Sequence, residues 1–303
     1  MTEFVIELFS DYTFQIVAMG SSFLGIVSGA LGCFVVLRKQ SLLGDGLSHS
    51  ALPGVVIAFL LTGTRNIEIL LLGAAFTGIL ATLSITGIVK HTRIKFDAAL
   101  AMTLAVFFGL GMSLLTYSQR IPNANQAGLD TFIYGQTATL LERDVIIISS
   151  IGCVLLVLVF IFWKEFKLLS FDPEYMKTIG FSSGKVEILL SAMIVFAIII
   201  GLQTVGAILM SAMLIAPAVA ARQWVNKLSA MVILSGIFGG VSSVVGTAIS
   251  SLGENLSTGP MIVISVSCIT LISILFAPNR GVIHKIYQRC INRIRFEKER
   301  SVR

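Results

Sequence analysis

Apolar residues in this chain run on in long blocks, separated by short clusters of charge. Such blocks predict membrane-crossing helices, since about 20 residues rising 1.5 Å each span a hydrocarbon core of about 30 Å. They lie near residues 14–37, 42–62, 67–89, 97–117, 145–163, 186–201, 205–221, 229–251 and 258–277, which predicts nine crossings. The run from 186 to 221 is unbroken, and as one helix it would reach about 54 Å, too long for a single crossing. A split near Gly201, Leu202, Gln203 and Thr204 relieves the excess, whereas a kinked long helix leaves eight spans. The expected fold is an all-α integral membrane protein, a polytopic bundle of about eight or nine transmembrane helices filling residues 1–303 as a single domain.

Composition agrees with that pattern. Of 303 residues, 55% are hydrophobic and 13% charged, and the mean hydropathy is +0.92, outside the range of soluble domains. The N-terminal MTEFVIELFSDY is acidic and lacks the basic stretch of a secretory signal, so the first span is expected to stay in place. Cys33, Cys153, Cys268 and Cys290 form no CxxC pair and read as small buried hydrophobes or a free tail thiol, and the ten methionines read as core filler.

The net charge of +6 would suit nucleic acid, but its distribution speaks for topology instead. Of 22 basic residues, 19 fall in alternate loops and the tail: Arg38 and Lys39, Lys90 to Lys95, Lys164 to Lys185, Arg222 and Lys227, and Arg280 to Arg303. Only Arg65, Arg120 and Arg143 fall in the other loops. The positive-inside rule then sets the N-terminus outside and the C-terminus in the cytoplasm, which requires an odd number of spans. The outer loop 118–144 is rich in Gly, Asn and Gln, with an apolar patch at Thr131 to Tyr134 that is expected to dip toward the bilayer.

In the inner loop 164–185, the stretch from Asp172 to Gly180 predicts a short helix with both ends specified. Asp172 caps the free N–H groups, Pro173 suits the first position, Glu174 favours the positive dipole end, and Gly180 takes the left-handed stop. Phe171, Tyr175, Ile179 and Phe181 offer apolar anchors, either for a partner's groove or for the lipid headgroups. The adjoining GFSSGK imitates a phosphate-binding loop, but it has three residues between its glycines and Val186 where Ser or Thr is required. ATP-driven work would therefore need another subunit.

The segment GDGLSHSALPG, residues 44–54, sets Asp45 and His49 four apart within an apolar span. An ionisable group there costs about 2.5–3.5 kcal/mol and marks a pathway, a pair or a relay. Helical neighbours four apart reach one ion, and an oxygen with an imidazole nitrogen suits Mn²⁺, Fe²⁺ or Zn²⁺ better than Mg²⁺, Ca²⁺ or Cu(I). Two ligands are too few, so two apposed subunits would be needed to supply four. Gly44, Gly46 and Gly54 permit close helix approach, and Pro53 interrupts the hydrogen-bond ladder. The plainer alternative has Asp45 capping the second span and His49 bonded to a neighbour such as Ser48 or Ser50. Elsewhere Asp97 is expected to cap the fourth span, Asp130, Glu142 and Asp144 to belong to the outer loop, Gln203 to sit at a bend, and His91 and His284 to be solvated.

Three blocks, RKQSLLGDGLSHSALPGVVIAFLL (38–61), LLSFDPEYMKTIGFS (168–182) and VGAILMSAMLIAPAVAARQW (205–224), together resemble the ABC-3 family. These are membrane permeases of bacterial ATP-binding-cassette importers for manganese, zinc and iron. The similarity runs from about residue 14 to 277, and NQAGLDTFIYGQTATL (125–140) is closer to the manganese and iron branch. The resemblance implies a type II importer fold with two permease subunits, identical or sister, two cytoplasmic ATPases and an extracytoplasmic metal-binding protein. It implies that Asp45 and His49 are pore ligands for the transported ion. It also implies that the 172–180 helix, with Phe171, Asp172, Pro173, Glu174, Tyr175 and Gly180, seats in the ATPase. The chain itself would then be no enzyme and hold no permanent cofactor, in a bacterial inner membrane. The basic tail from 278 onward matches no signature block and fits attraction to anionic lipid or ATPase contact. Against this stands a secondary, ion-coupled metal transporter without an ATPase, which would show inverted-repeat halves and paired intramembrane acids, neither of which the sequence displays.

Overall fold

The computed structural model describes residues 11–64, 66–120, 140–253, 256–278, 281–284, 286 and 288. Its principal helices are α1 (Tyr12–Leu37), α2 (Leu43–Ser50), α3 (Leu52–Thr62), α4 (Ile67–His91), α5 (Phe96–Ser118), α6 (Glu142–Ile161), α7 (Trp163–Phe171), α8 (Pro173–Thr178), α9 (Ser183–Thr204), α10 (Ala207–Trp224), α11 (Leu228–Leu252) and α12 (Thr258–Phe276). No strand occurs among the described residues.

Eight segments have the length and composition to cross a membrane: α1, α2 with α3, α4, α5, α6, α9, α11 and α12. The apolar run 186–221 is two helices, and α10 is the ninth long rod, 18 residues or about 27 Å. The break falls at Val205 and Gly206, slightly beyond the expected split, because Gly206 adopts φ 85°, a conformation that L side chains rarely take.

Three local expectations are corrected. The fifth span, expected to reach residue 163, ends at Ile161, and residues 164–171, expected as loop, belong to α7, whose Phe166 and Leu169 are buried in the core. Glu142 and Asp144 belong to the first turn of α6, where the Asp144 carboxylate accepts from the Leu141 N–H at 3.1 Å. Asp97 does not cap α5: the cap position is Lys95, and Asp97 sits in the first turn, where its charge favours the dipole. The apolar patch at 131–134, Asp130, Cys290 and nearly all of the basic tail lie outside the described residues.

α1 is the axis of the bundle, buried along most of its length, whereas α5, α6 and α12 expose most of theirs. The exposed positions are apolar, Val106, Leu110, Phe160 and Leu271 among them, as a lipid-facing rim requires. Where two apolar helices meet in lipid, attraction comes from close packing and interhelical hydrogen bonds rather than from water exclusion. α1 and α11 use both. A side-chain carbon at Gly25 would lie 2.6 Å from the Gly239 carbonyl carbon, so only glycine permits this approach. One turn along, Ser235 Oγ donates to the Gly29 carbonyl at 2.7 Å, and Ser21 Oγ lies 3.4 Å from Thr247 Oγ1.

Candidate functional site

α2 is a two-turn helix held on two sides by residues with almost no side chain. Gly44 backs onto Ser211 and Leu214 of α10, and Gly46 onto Leu100 of α5. Leu43 and Leu47 complete the buried face. The face that remains carries Asp45 and His49. The imidazole Nε2 stands 3.5 Å from Asp45 Oδ1, so the two groups converge on one point. Asp45 is 48% exposed and His49 21%, so the carboxylate leads outward and the ring stands behind it.

Neither plainer alternative describes the pair. The cap position of α2 is Leu42, and no side-chain bond caps it. Ser48 and Ser50 donate to the Gly44 and Gly46 carbonyls at 2.7 Å each rather than to His49. The ring neighbour of His49 is Phe108 of α5, at a centroid distance of 4.9 Å and an interplanar angle of 72°. An edge-to-face contact of that kind is worth about 0.5–1.5 kcal/mol and holds the imidazole plane.

α5 in fact reads the whole of α2 and the start of α3. Leu100 meets Gly46, Phe108 meets His49, and a side chain at Gly111 would sit 3.0 Å from Pro53. Pro53 lies in the first turn of α3, and the helix axis breaks at Ala51 between α2 and α3. The Ala51 carbonyl at that break accepts from the Gly54 and Val55 N–H groups at 3.1 and 3.2 Å, and Thr77 Oγ1 of α4 lies 3.4 Å from it as a further contact between the helices. Close contact of Gly54 with Gly73 brings α4 near enough to do this. Phe108 and Thr77 carry no sequence signal of their roles, because both act across helix contacts.

Among the described residues, Asp45 and His49 are the only acid and imidazole brought together, and no set of three His, Cys, Asp or Glu side chains suited to a metal occurs. As a candidate metal site, one chain would thus bring only this carboxylate and this imidazole. His91 is exposed at the end of α4, with Nδ1 3.0 Å from the Gly87 carbonyl, and His284 lies 2.9 Å from Gln288 Nε2.

The second candidate element is α8. Its N-terminus is closed by Asp172 Oδ1, which accepts from the Tyr175 N–H at 2.9 Å, with Pro173 at the first position. Its C-terminus is a Schellman turn: Gly180 at φ 88°, with Gly180 N–H to the Lys177 carbonyl at 3.1 Å and Phe181 N–H to the Met176 carbonyl at 3.2 Å. Phe171, Tyr175, Ile179 and Phe181 are exposed. Met176, fully buried against the core that holds Phe166 and Leu169, fixes the helix from beneath. It was not singled out from sequence, although an apolar residue three before the exposed Ile179 in a capped helix is the available signal. The GFSSGK segment forms the link into α9 and its first residues.

The sequence matches the ABC 3 transport family over residues 10–277. It is 50% identical over 285 residues to the zinc transport system membrane protein TroC of Treponema pallidum (strain Nichols), covering 94% of this chain and 96% of that protein. To the manganese transport system membrane protein MntC of Bacillus subtilis (strain 168) it is 48% identical over 271 residues, covering 89% of this chain and 62% of that one. Among solved structures it is similar to PsaBC from Streptococcus pneumoniae in complex with Fab, with a TM-score of 0.80 at 33% identity over 92% of this chain and 97% of the other.

Proposed function

Because the chain belongs to the ABC 3 transport family, we propose that it imports a divalent transition metal, manganese first, as the membrane permease of an ATP-driven transporter. The observation that carries this reading is the Asp45–His49 pair, 3.5 Å apart on one face of α2, with the carboxylate half-exposed within an apolar span. A carboxylate turned to lipid at membrane depth is costly. A face that carries one belongs against water or protein, and a second permease subunit, identical or sister, fulfils that need and adds the missing ligands.

The site takes its ion in passing. Two oxygens and two nitrogens bind well enough to replace part of a hydration shell and weakly enough to let go. Zinc outcompetes manganese at most mixed sites, so selection between them falls to an extracytoplasmic binding protein that delivers the ion and to pore geometry. Manganese is the first candidate because the donor pair suits it and the Bacillus subtilis relative carries that name; zinc is the rival that the Treponema relative names.

ATP is hydrolysed by separate cytoplasmic subunits, and α8 is the coupling helix. Phe171, Tyr175, Ile179 and Phe181 stand exposed on a segment closed at both ends, the form suited to seating in an ATPase groove. Asp172, Pro173, Glu174 and Gly180 keep that form. The charge distribution orients the N-terminus outward and the tail inward in a bacterial inner membrane, and residues 1–303 act as one permease domain. The test is uptake of radiolabelled Mn²⁺ by cells whose own permease is replaced by this chain, with Zn²⁺ and Fe²⁺ as competitors. Asp45→Ala with His49→Ala is expected to abolish uptake without loss of membrane expression, and uptake unchanged by that pair would overturn the reading.

A further inference from the structure

The segment that leads into α2 is tied directly to the segment that leaves α8. Arg38, the residue that ends α1, forms an ion pair with Glu187 in the second turn of α9. The pair is well shielded: the Arg38 side chain is 12% exposed and that of Glu187 32%. In the sequence Arg38 is one of many loop cations, but the fold gives it a carboxylate partner 149 residues away.

Both ends of this pair adjoin short connections closed by backbone hydrogen bonds. On the α9 side, Gly180 and the Phe181–Ser182 link join α8 to α9, so a displacement of α8 reaches Glu187 through one helical turn. On the other side, Lys39 follows Arg38 at φ 58°, left-handed backbone that a residue with a side chain seldom adopts. That turn is closed by Lys39 N–H to the Val36 carbonyl at 3.2 Å and Gln40 N–H to the Val35 carbonyl at 3.0 Å. α2 then begins at Leu43, and Asp45 and His49 follow within two turns.

A cavity of about 670 Å³ lies against the same part of α9, lined by Phe181, Ser183, Gly184 and Glu187 with Lys90 and Phe96. The first turns of α9 thus have a fixed electrostatic contact on the α1 side and open space on the α4 side. Motion of α9 into that space would pull on Arg38 and, through it, on the left-handed Lys39 turn.

We infer that Arg38 and Glu187 are positioning residues that transmit movement of α8 to the Asp45–His49 helix, so that the ion pair couples ATP hydrolysis to metal release. This rests on the permease reading above. An intact pair makes the two segments move as one, whereas a broken pair leaves ATP hydrolysis possible and α2 unmoved.

The test uses the complete importer in proteoliposomes, with Mn²⁺ uptake and phosphate release measured together and their ratio taken. Arg38→Glu and Glu187→Arg are each expected to assemble and hydrolyse ATP while metal moved per ATP falls about tenfold, a typical coupling magnitude. The exchanged double variant is expected to recover at least half of the wild-type ratio, whereas a merely structural loss would lower uptake and hydrolysis together and leave the ratio of the single variants unchanged. Should a reversed charge prevent assembly, Arg38→Gln and Glu187→Gln read the same ratio without repulsion. An unchanged ratio in assembled single variants overturns the inference, as does an exchanged variant no better than either single. Asp45→Ala with His49→Ala runs in parallel: uptake surviving that change refutes the metal-site reading, whereas its loss beside an unchanged ratio in the Arg38 and Glu187 variants refutes only the coupling role.

Discussion

Replacing Gly25 with alanine inserts one methyl group at the contact of α1 with α11. That methyl would stand 2.6 Å from the Gly239 carbonyl carbon and 2.8 Å from Ser243 Oγ, with the Gly239 carbonyl oxygen closer still. Non-bonded carbons rest about 3.5–4.0 Å apart, so the two helices must part by roughly 1 Å. Separation strains the neighbouring Ser235-to-Gly29 bond, now 2.7 Å long. Overpacking of this kind costs about 1–3 kcal/mol, and an interhelical hydrogen bond in a membrane protein contributes about 0.6 kcal/mol. Against this, alanine gains about 0.5–1 kcal/mol over glycine in a helix. The net expectation for Gly25→Ala is a loss of about 1–3 kcal/mol. Gly87 in α4 supplies the control, because a side-chain carbon there meets nothing within 4 Å. Gly87→Ala keeps only the helix term and should stabilise by about 0.5–1 kcal/mol. Thermal unfolding of the purified permease in detergent, followed by intrinsic fluorescence, should therefore move the midpoint down for one alanine and up for the other. Equal shifts, or a Gly25→Ala protein that melts above wild type, would refute the argument that close backbone contact holds this interface.

Further outcomes concern α8 and the candidate metal site. Met176→Ala should destabilise the permease by about 2–5 kcal/mol because its side chain is fully buried, while Tyr175→Ala, half-exposed, should leave the melting midpoint alone and weaken co-purification of the ATPase. Gly180→Ala forces a side chain into φ 88° at a cost of about 1–2 kcal/mol, which should appear as faster amide exchange across residues 173–178. Phe108→Leu keeps bulk but removes the ring beside His49; it should raise the metal concentration for half-maximal uptake several-fold with little change in maximal rate, and Phe108→Tyr should restore it.

Much of the fold was legible because its signals are local. Hydrophobic length located the membrane helices, and the caps at Asp172, Pro173 and Gly180 defined α8 before any contact was known, since each acts within one turn of itself. The boundaries that went wrong were of another sort. Residues 164–171 look like a basic inner loop, yet burial of Phe166 and Leu169 by other helices places them in α7. The break between α9 and α10 was expected near a polar pair, whereas the backbone freedom of Gly206 decided it.

The candidate site divides along the same line. Spacing alone put Asp45 and His49 on one face of a helix, since residues four apart always share one. It left their surroundings undecided between caps, serines and an ion. The structure adds the 3.5 Å convergence, the Phe108 ring and the serines turned to their own backbone, which removes the cap and the serines from that choice. By itself the sequence determined that this chain resides in a membrane, roughly where most of its apolar rods lie, and where one short helix starts and stops. Which glycines touch, what His49 faces and that Arg38 finds Glu187 were decided only by tertiary structure. Those partners lie far apart along the chain, and a one-dimensional pattern holds no term for the distance between helices that folding brings together.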